Sequence, residues 1–103
     1  MLLWTDYQGR RVRLTDERWR HILDHSELAS MQAAIERAVV EPESVVRSAT
    51  DPTVTLNYRY EKVTLVGDKW LCVVIKYTED DAFVLTAYLT DRPKSGEVIW
   101  RKE

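Results

Sequence analysis

K-W-L-C-V-V-I-K-Y-T-E-D-D-A-F-V-L-T-A-Y-L-T, residues 69–90, reads as two strands joined by an acidic turn. Leu71, Val73, Ile75 and Tyr77 alternate with Cys72, Val74 and Lys76, and Phe83, Leu85, Ala87 and Leu89 alternate with Val84, Thr86, Tyr88 and Thr90. Successive side chains of a strand point to opposite faces, so each strand has one almost wholly apolar face. Matching the two apolar sets sets the register, since a slip of one residue would turn every side chain over. The match requires a loop with an odd residue count and brings Lys76 near Thr86 and Val74 near Tyr88. A two-residue Asp80-Asp81 turn would put Lys76 opposite Leu85, on the apolar side. In the favoured register a cation, a hydroxyl and a phenol gather on the second face. Thr and Tyr are also ordinary residues of a solvated sheet face, so this face becomes a site only where other segments add groups to it.

Working outward, the 103 residues suit one domain, residues 1–103, with one core. An apolar content of 45% with four tryptophans is that of a folding chain. Fifteen basic residues against 17 acidic ones leave a formal charge of -2, which excludes nucleic-acid binding driven by bulk charge. Cys72 has no partner for a disulfide and reads as a small buried hydrophobe. M-L-L-W-T-D-Y-Q-G-R lacks the basic and apolar regions of a signal peptide, and no stretch is long enough to span a bilayer. A soluble, cytoplasmic protein without membrane contact is expected.

Leu2 to Trp4 and Arg11 to Leu14 flank D-Y-Q-G-R and predict a short N-terminal hairpin with Gly9 in its turn. Thr15 is an N-cap candidate, with Asp16 and Glu17 in a first turn where acids suit the helix dipole. The helix is expected to run to about His25, with Trp19, Ile22 and Leu23 as its apolar stripe. A second helix is expected from Leu28 to Val40, on Met31, Ile35 and Val39, and Pro42 follows its end. These helices would cover a sheet of Val54 to Tyr60, Val63 to Val66, Trp70 to Tyr77 and Phe83 to Thr90. Gly67-Asp68 and Asp80-Asp81 mark its turns, Val45 and Val46 suit a short edge strand, and Val98 to Trp100 form an apolar patch near the C-terminus. The fold class expected is α+β.

His21 and His25 stand four apart, but H-I-L-D-H lacks the glutamate placement of the helical zinc motif and a third ligand. Neither a metal nor another cofactor is expected. Either histidine suits general acid or base work, since imidazole titrates near neutral pH. Arg47, Arg59 and Lys76 fall on neighbouring elements. With His25, Thr86 and Tyr88 they form an inventory for metal-free phosphodiester chemistry. A base takes the ribose 2′-hydroxyl proton, cations hold the phosphorane charge, and an acid protonates the leaving 5′-oxygen. Ser44, Ser48 and Ser95 lie in no nucleophile elbow, and three glycines form no phosphate loop.

L-T-D-E-R-W-R-H-I-L-D-H, E-P-E-S-V-V-R-S, C-V-V-I-K and F-V-L-T-A-Y-L-T-D-R-P-K-S-G-E-V-I-W, in this order, resemble the phage and polymorphic-toxin nuclease domains of the Barnase/EndoU/colicin/RelE-like (PBECR-type) fold. The resemblance covers Leu14 to Trp100. It implies two N-terminal helices on a four-stranded antiparallel sheet and a metal-independent ribonuclease restrained by an immunity or antitoxin protein. It also implies roles for His21 or His25, for Lys76 with Arg47, and for Thr86 or Tyr88. The expectation is therefore a toxin-type endoribonuclease that cleaves RNA, tRNA among the candidates, to a cyclic phosphate. His25 or His21 would be base or acid, Lys76 and Arg47 would hold the phosphate, Thr86 and Tyr88 would position it, and Tyr58 and Arg59 would contact the substrate. The rival is a binding module on the same fold, taking RNA or, through the region of Trp4, Tyr7 and Trp100, a protein partner or a second copy of the chain as a homodimer.

Overall fold

Seven strands and two short helices form along residues 1–103 of the computed structural model. They are β1 (Leu2–Thr5), β2 (Arg11–Leu14), α1 (Asp16–Ile22), a 3₁₀ turn (Ser26–Leu28), α2 (Gln32–Val40), β3 (Ser44–Arg47), β4 (Val54–Thr64), β5 (Gly67–Tyr77), β6 (Ala82–Thr90) and β7 (Val98–Arg101). All strands share one sheet in the order β1-β2-β6-β5-β4-β3-β7. No helix is long and apolar enough to cross a membrane.

The expected four-stranded antiparallel sheet is thus replaced by a seven-stranded mixed one. Three short segments make the difference. The N-terminal hairpin joins the sheet because β2 lies parallel to β6 at Arg13 and Phe83. The edge strand at Val45 and Val46 pairs with β4, and the apolar patch at Val98 to Trp100 pairs with that edge. Short strands satisfy their backbone groups only through neighbours, and β2 meets β6, and β7 meets β3, across long stretches of chain.

The helices are shorter than expected. Thr15 Oγ1 accepts the Arg18 N–H at 3.1 Å, as an N-cap should. α1 then ends at Ile22, which leaves His25 outside it, at the start of the 3₁₀ turn, and α2 begins at Gln32. Val63 to Val66 is not a separate strand: β4 runs unbroken to Thr64, and Leu65 and Val66 form the turn before Gly67, whose φ is 95°.

A bulge corrects the hairpin register. Lys76 faces Phe83, Val74 faces Thr86 and Cys72 faces Tyr88, with the register shifting between Val74 and Ile75. Leu85 is the extra residue, and the Tyr77 to Ala82 pair is closed by the four residues Thr78 to Asp81. One extra residue in β6 reverses the facing of everything before it. Ala82 and Val84 therefore join Ala87 and Leu89 on the apolar face, and Phe83 moves to the second face.

Leu71, Val73 and Ile75 are fully buried on that first face with Val12, Leu14, Ile22, Ile35 and Val39. Full burial of such a side chain stabilises by about 1.5–3 kcal/mol, so this layer holds the fold. α1 lies on β6, while α2 lies on β4 and β5. Asn57, buried beneath α2, donates from Nδ2 to the Ala38 carbonyl at 3.1 Å and accepts from Thr55 Oγ1 at 3.0 Å. It thereby satisfies one of the carbonyls orphaned at a helix C-terminus. Asn57→Ala is expected to cost about 1–3 kcal/mol in urea unfolding, the penalty for a buried carbonyl left unpaired; a loss under about 0.5 kcal/mol would mean that water replaces the amide.

The second face carries a smaller cluster of Val46, Leu56, Tyr58 and Cys72. Because β7 lies beyond β3, the chain from Asp91 to Glu97 must cross β5, β4 and β3. It crosses the second face, where the Lys94 N–H donates to Tyr58 Oη at 3.0 Å and the Arg47 N–H donates to the Glu97 carbonyl at 2.9 Å. A Cβ on Gly96 would stand 3.0 Å from Val46 Cγ1, so the strap passes close to the sheet there.

Candidate nucleic-acid interface on the second face

β5 and its neighbours point Trp70, Cys72, Val74 and Lys76 to the second face, with Tyr58 and Tyr60 on β4 and Phe83, Thr86, Tyr88 and Thr90 on β6. Period-two alternation, shifted by one residue at the Leu85 bulge, produces this row. Tyr60 and Trp70 meet edge to face, their ring centroids 5.3 Å apart. Trp70 is half-buried and forms one wall of an open cleft of about 500 Å³, together with Ser44, Val46, Pro93 and Val98. Lys94, Arg101 and Lys102 line the same cleft, facing Glu43 and Glu103.

Charge is committed unevenly over this face. Lys76 Nζ lies 2.9 Å from Asp51, and Arg13 lies 2.7 Å from Asp81. Lys94, Arg101 and Lys102 enter no ion pair. The cleft beside Trp70 thus groups three cations without ion-pair partners, together with Glu43 and Glu103.

The titratable groups in the middle of the face are held protonated. Burial pushes the Tyr58 hydroxyl up to about 12 and the Cys72 thiol up to about 11. Burial, then the neighbouring Cys72, also raises Tyr88. Groups raised in this way are poor bases and nucleophiles near neutral pH. No group of three or more His, Cys, Asp or Glu side chains is placed to hold a metal ion.

Asp51 shifts the other way. The Thr53 hydroxyl, then Lys76, then the Thr53 N–H hold its carboxyl down at about 2, from an ordinary 3.8. Because the folded value lies below the unfolded one, its contribution to stability is complete above about pH 4 and is lost as pH falls through about 2. The difference in Tm between the protein and Asp51→Asn should stay constant above pH 4 and shrink toward pH 2. A difference that persists unchanged at pH 2 would show that Asp51 does not titrate in this contact.

The residues expected to form one active site divide between the two faces. Lys76, Thr86 and Tyr88 share the second face with Tyr58, which is fully buried under the strap. His21, in the last turn of α1, and His25, with Nδ1 3.8 Å from the Glu27 carboxylate, are exposed at the helical layer on the first face. Arg47 pairs with Thr55 on the first face and binds Glu97 Oε1 at 2.6 Å and the Pro52 carbonyl at 3.0 Å. Arg59 also faces the helices, donating to the Glu41 carbonyl at 2.5 Å. No hydrogen bond or ion pair joins either histidine to Lys76, Thr86 or Tyr88.

Trp70, Tyr60 and Lys94 were not among the expected site residues. The parity of Trp70 with Cys72, Val74 and Lys76 carries the signal for the tryptophan. The proximity of Lys94, Arg101 and Lys102 depends on the strap and on β7 and has no counterpart in local sequence. Comparison with protein-family models, with curated proteins and with solved structures finds no match to this chain.

Proposed function

We propose that the domain binds single-stranded RNA on the second face of its sheet. A base would stack on Trp70, with adjoining phosphates at Lys94, Arg101 and Lys102. The observation that carries this reading is the half-exposed indole in an open cleft beside three cations without ion-pair partners. Aromatic platforms flanked by basic side chains hold single strands because every base has a π-face and every nucleotide a charge. An acidic net charge is compatible with a local cationic cleft of this kind. Titrating short oligoribonucleotides while following tryptophan fluorescence should give saturable quenching. The logarithm of affinity should fall with the logarithm of salt with a slope of about −2, as three phosphate contacts to a single strand predict. No quenching by oligonucleotides of any base composition would refute the reading.

Metal-independent endoribonuclease activity is the second reading, favoured by the presence of Lys76, Thr86 and Tyr88 on this same face. Tyr88 kept protonated would give its proton to the leaving 5′-oxygen, Lys76 would hold the phosphate charge, and solvent water would take the 2′-hydroxyl proton. An immunity or antitoxin protein belongs to this reading, as the inhibitor that covers the face. EDTA-treated protein incubated with total RNA and tRNA would then leave cyclic phosphate ends. Lys76→Ala should abolish that cleavage. The His21→Ala/His25→Ala double variant should bind RNA within about twofold of the parent, because both histidines stand on the other face. A larger loss on removing the histidines would place the RNA on the helical side.

A further inference from the structure

Beyond Tyr60 and Trp70 the β4–β5 hairpin has no strand on either side, since β3 stops pairing at Tyr58 and β6 at Trp70. An isolated two-stranded ribbon is marginal in water. This one is nevertheless built: the Val63 N–H donates to Asp68 Oδ1 at 2.8 Å, the Val66 N–H donates to Thr64 Oγ1 at 3.2 Å, and the Thr64 hydroxyl donates to the Gly67 carbonyl. It presents Val63, Leu65 and Val66 to solvent at 89%, 76% and 52% exposure. Val63 also holds a φ of 58°, which a β-branched side chain rarely adopts.

Beside this tip, between it and α2, lies a cleft of about 250 Å³ with Met31, Ala33 and Ala34 on the helix wall and Val63 and Leu65 on the hairpin wall. The tip forms one wall of its own cleft and so cannot fill it. The rim carries Glu27, Arg37, Glu61 and Lys62, two charges of each sign. Arg37 and Glu61 lie 3.8 Å apart within the chain, and Glu27, whose neighbour is His25, and Lys62 form the outer pair of opposite sign. A patch of one sign would repel its own copy. A balanced patch with an apolar projection next to an apolar recess is complementary to itself about a two-fold axis.

We propose that this surface is a homodimer interface, in which the hairpin tip of each copy enters the α2 cleft of the other and Lys62 meets Glu27 across the axis. The RNA-binding face lies on the other side of the sheet and stays open in such a dimer.

Sedimentation velocity tests the proposal, with circular dichroism confirming each fold. The protein should sediment at about twice its 12.1 kDa chain mass. Leu65→Asp, which alters the tip, and Ala33→Arg, which blocks the cleft, should each sediment as monomer, both positions being exposed and outside the core. Lys62→Glu should weaken the dimer and Lys62→Glu/Glu27→Lys should restore it. A monomeric parent protein, or a dimer that survives either Leu65→Asp or Ala33→Arg, would overturn the proposal.

Discussion

Tyr58→Ala is expected to lower the free energy of unfolding by about 3–5 kcal/mol, the range for removing a buried aromatic ring. Tyr58 is fully buried at the centre of the second-face cluster, beside Val46, Leu56 and Cys72. Its hydroxyl also accepts the Lys94 N–H, the contact by which the strap grips the middle of the sheet. A domain of this size has only about 5–15 kcal/mol in total, so the variant should unfold at much lower urea. Tyr58→Phe separates the two roles. It keeps the ring, leaves the Lys94 N–H without its acceptor, and should cost about 1 kcal/mol. With the strap loosened, Lys94 is no longer held beside Trp70, and Tyr58→Phe should also weaken RNA binding. A Tyr58→Ala loss below about 1 kcal/mol would mean that the second-face cluster does not contribute to holding the sheet.

Trp70→Ala should weaken oligoribonucleotide binding by roughly 5- to 150-fold, since stacking a base on an aromatic side chain contributes about 1–3 kcal/mol. Fold and stability should change much less, because Trp70 is half-buried at the end of the cluster and covers no part of the first-face core. Fluorescence anisotropy with a labelled oligonucleotide gives the affinity. Trp70→Phe should recover most of the loss, as the remaining ring still offers a π-face. Neutralising Lys94, Arg101 and Lys102 together should act differently: affinity falls and the salt dependence flattens toward zero, with base preference unchanged. Binding by Trp70→Ala equal to that of the parent, over the full salt range, would remove the cleft from the interface.

Much of the local structure was legible in the chain. Thr15 caps α1 where its hydroxyl and the acids after it indicated, and Pro42 follows the end of α2. Strands β5 and β6 lie where alternation put them. The apolar set Leu71, Val73 and Ile75 is buried as its periodicity required. The expected architecture of two helices on a four-stranded antiparallel sheet was overturned, since β1, β2, β3 and β7 are four residues each. Runs so short carry little periodicity of their own, and the N-terminal hairpin and β7 join the sheet only through partners far along the chain. The bulge at Leu85 escaped for a related reason. Phe83 and Leu85 have the parity of an apolar face, and only closure of the Tyr77 to Ala82 pair by a four-residue loop shows that one of them must be left over.

For the candidate site, residue type was legible and assembly was not. Lys76, Thr86 and Tyr88 share a face because strand parity is a local property of the backbone. His21 and His25 were grouped with them by chemistry, but α1 packs on the apolar side of β6, the side opposite those three residues. The hydrophobic stripe that makes the helix also decides which face of the sheet it covers, and its polar side chains go with it. The cleft at Trp70 arises from tertiary structure alone. It exists because β7 pairs beyond β3 and the intervening strap must cross the sheet, carrying Lys94 to an indole that lies 24 residues earlier in the chain. By itself the sequence determined the cores of α1, α2, β4, β5 and β6 and the apolar face of β5, since these follow from periods of two and 3.6 residues. Strand order, the bulge and the meeting of Trp70 with Lys94 were decided by the tertiary structure, because backbone pairing and burial are satisfied between segments whose separation along the chain no local pattern records.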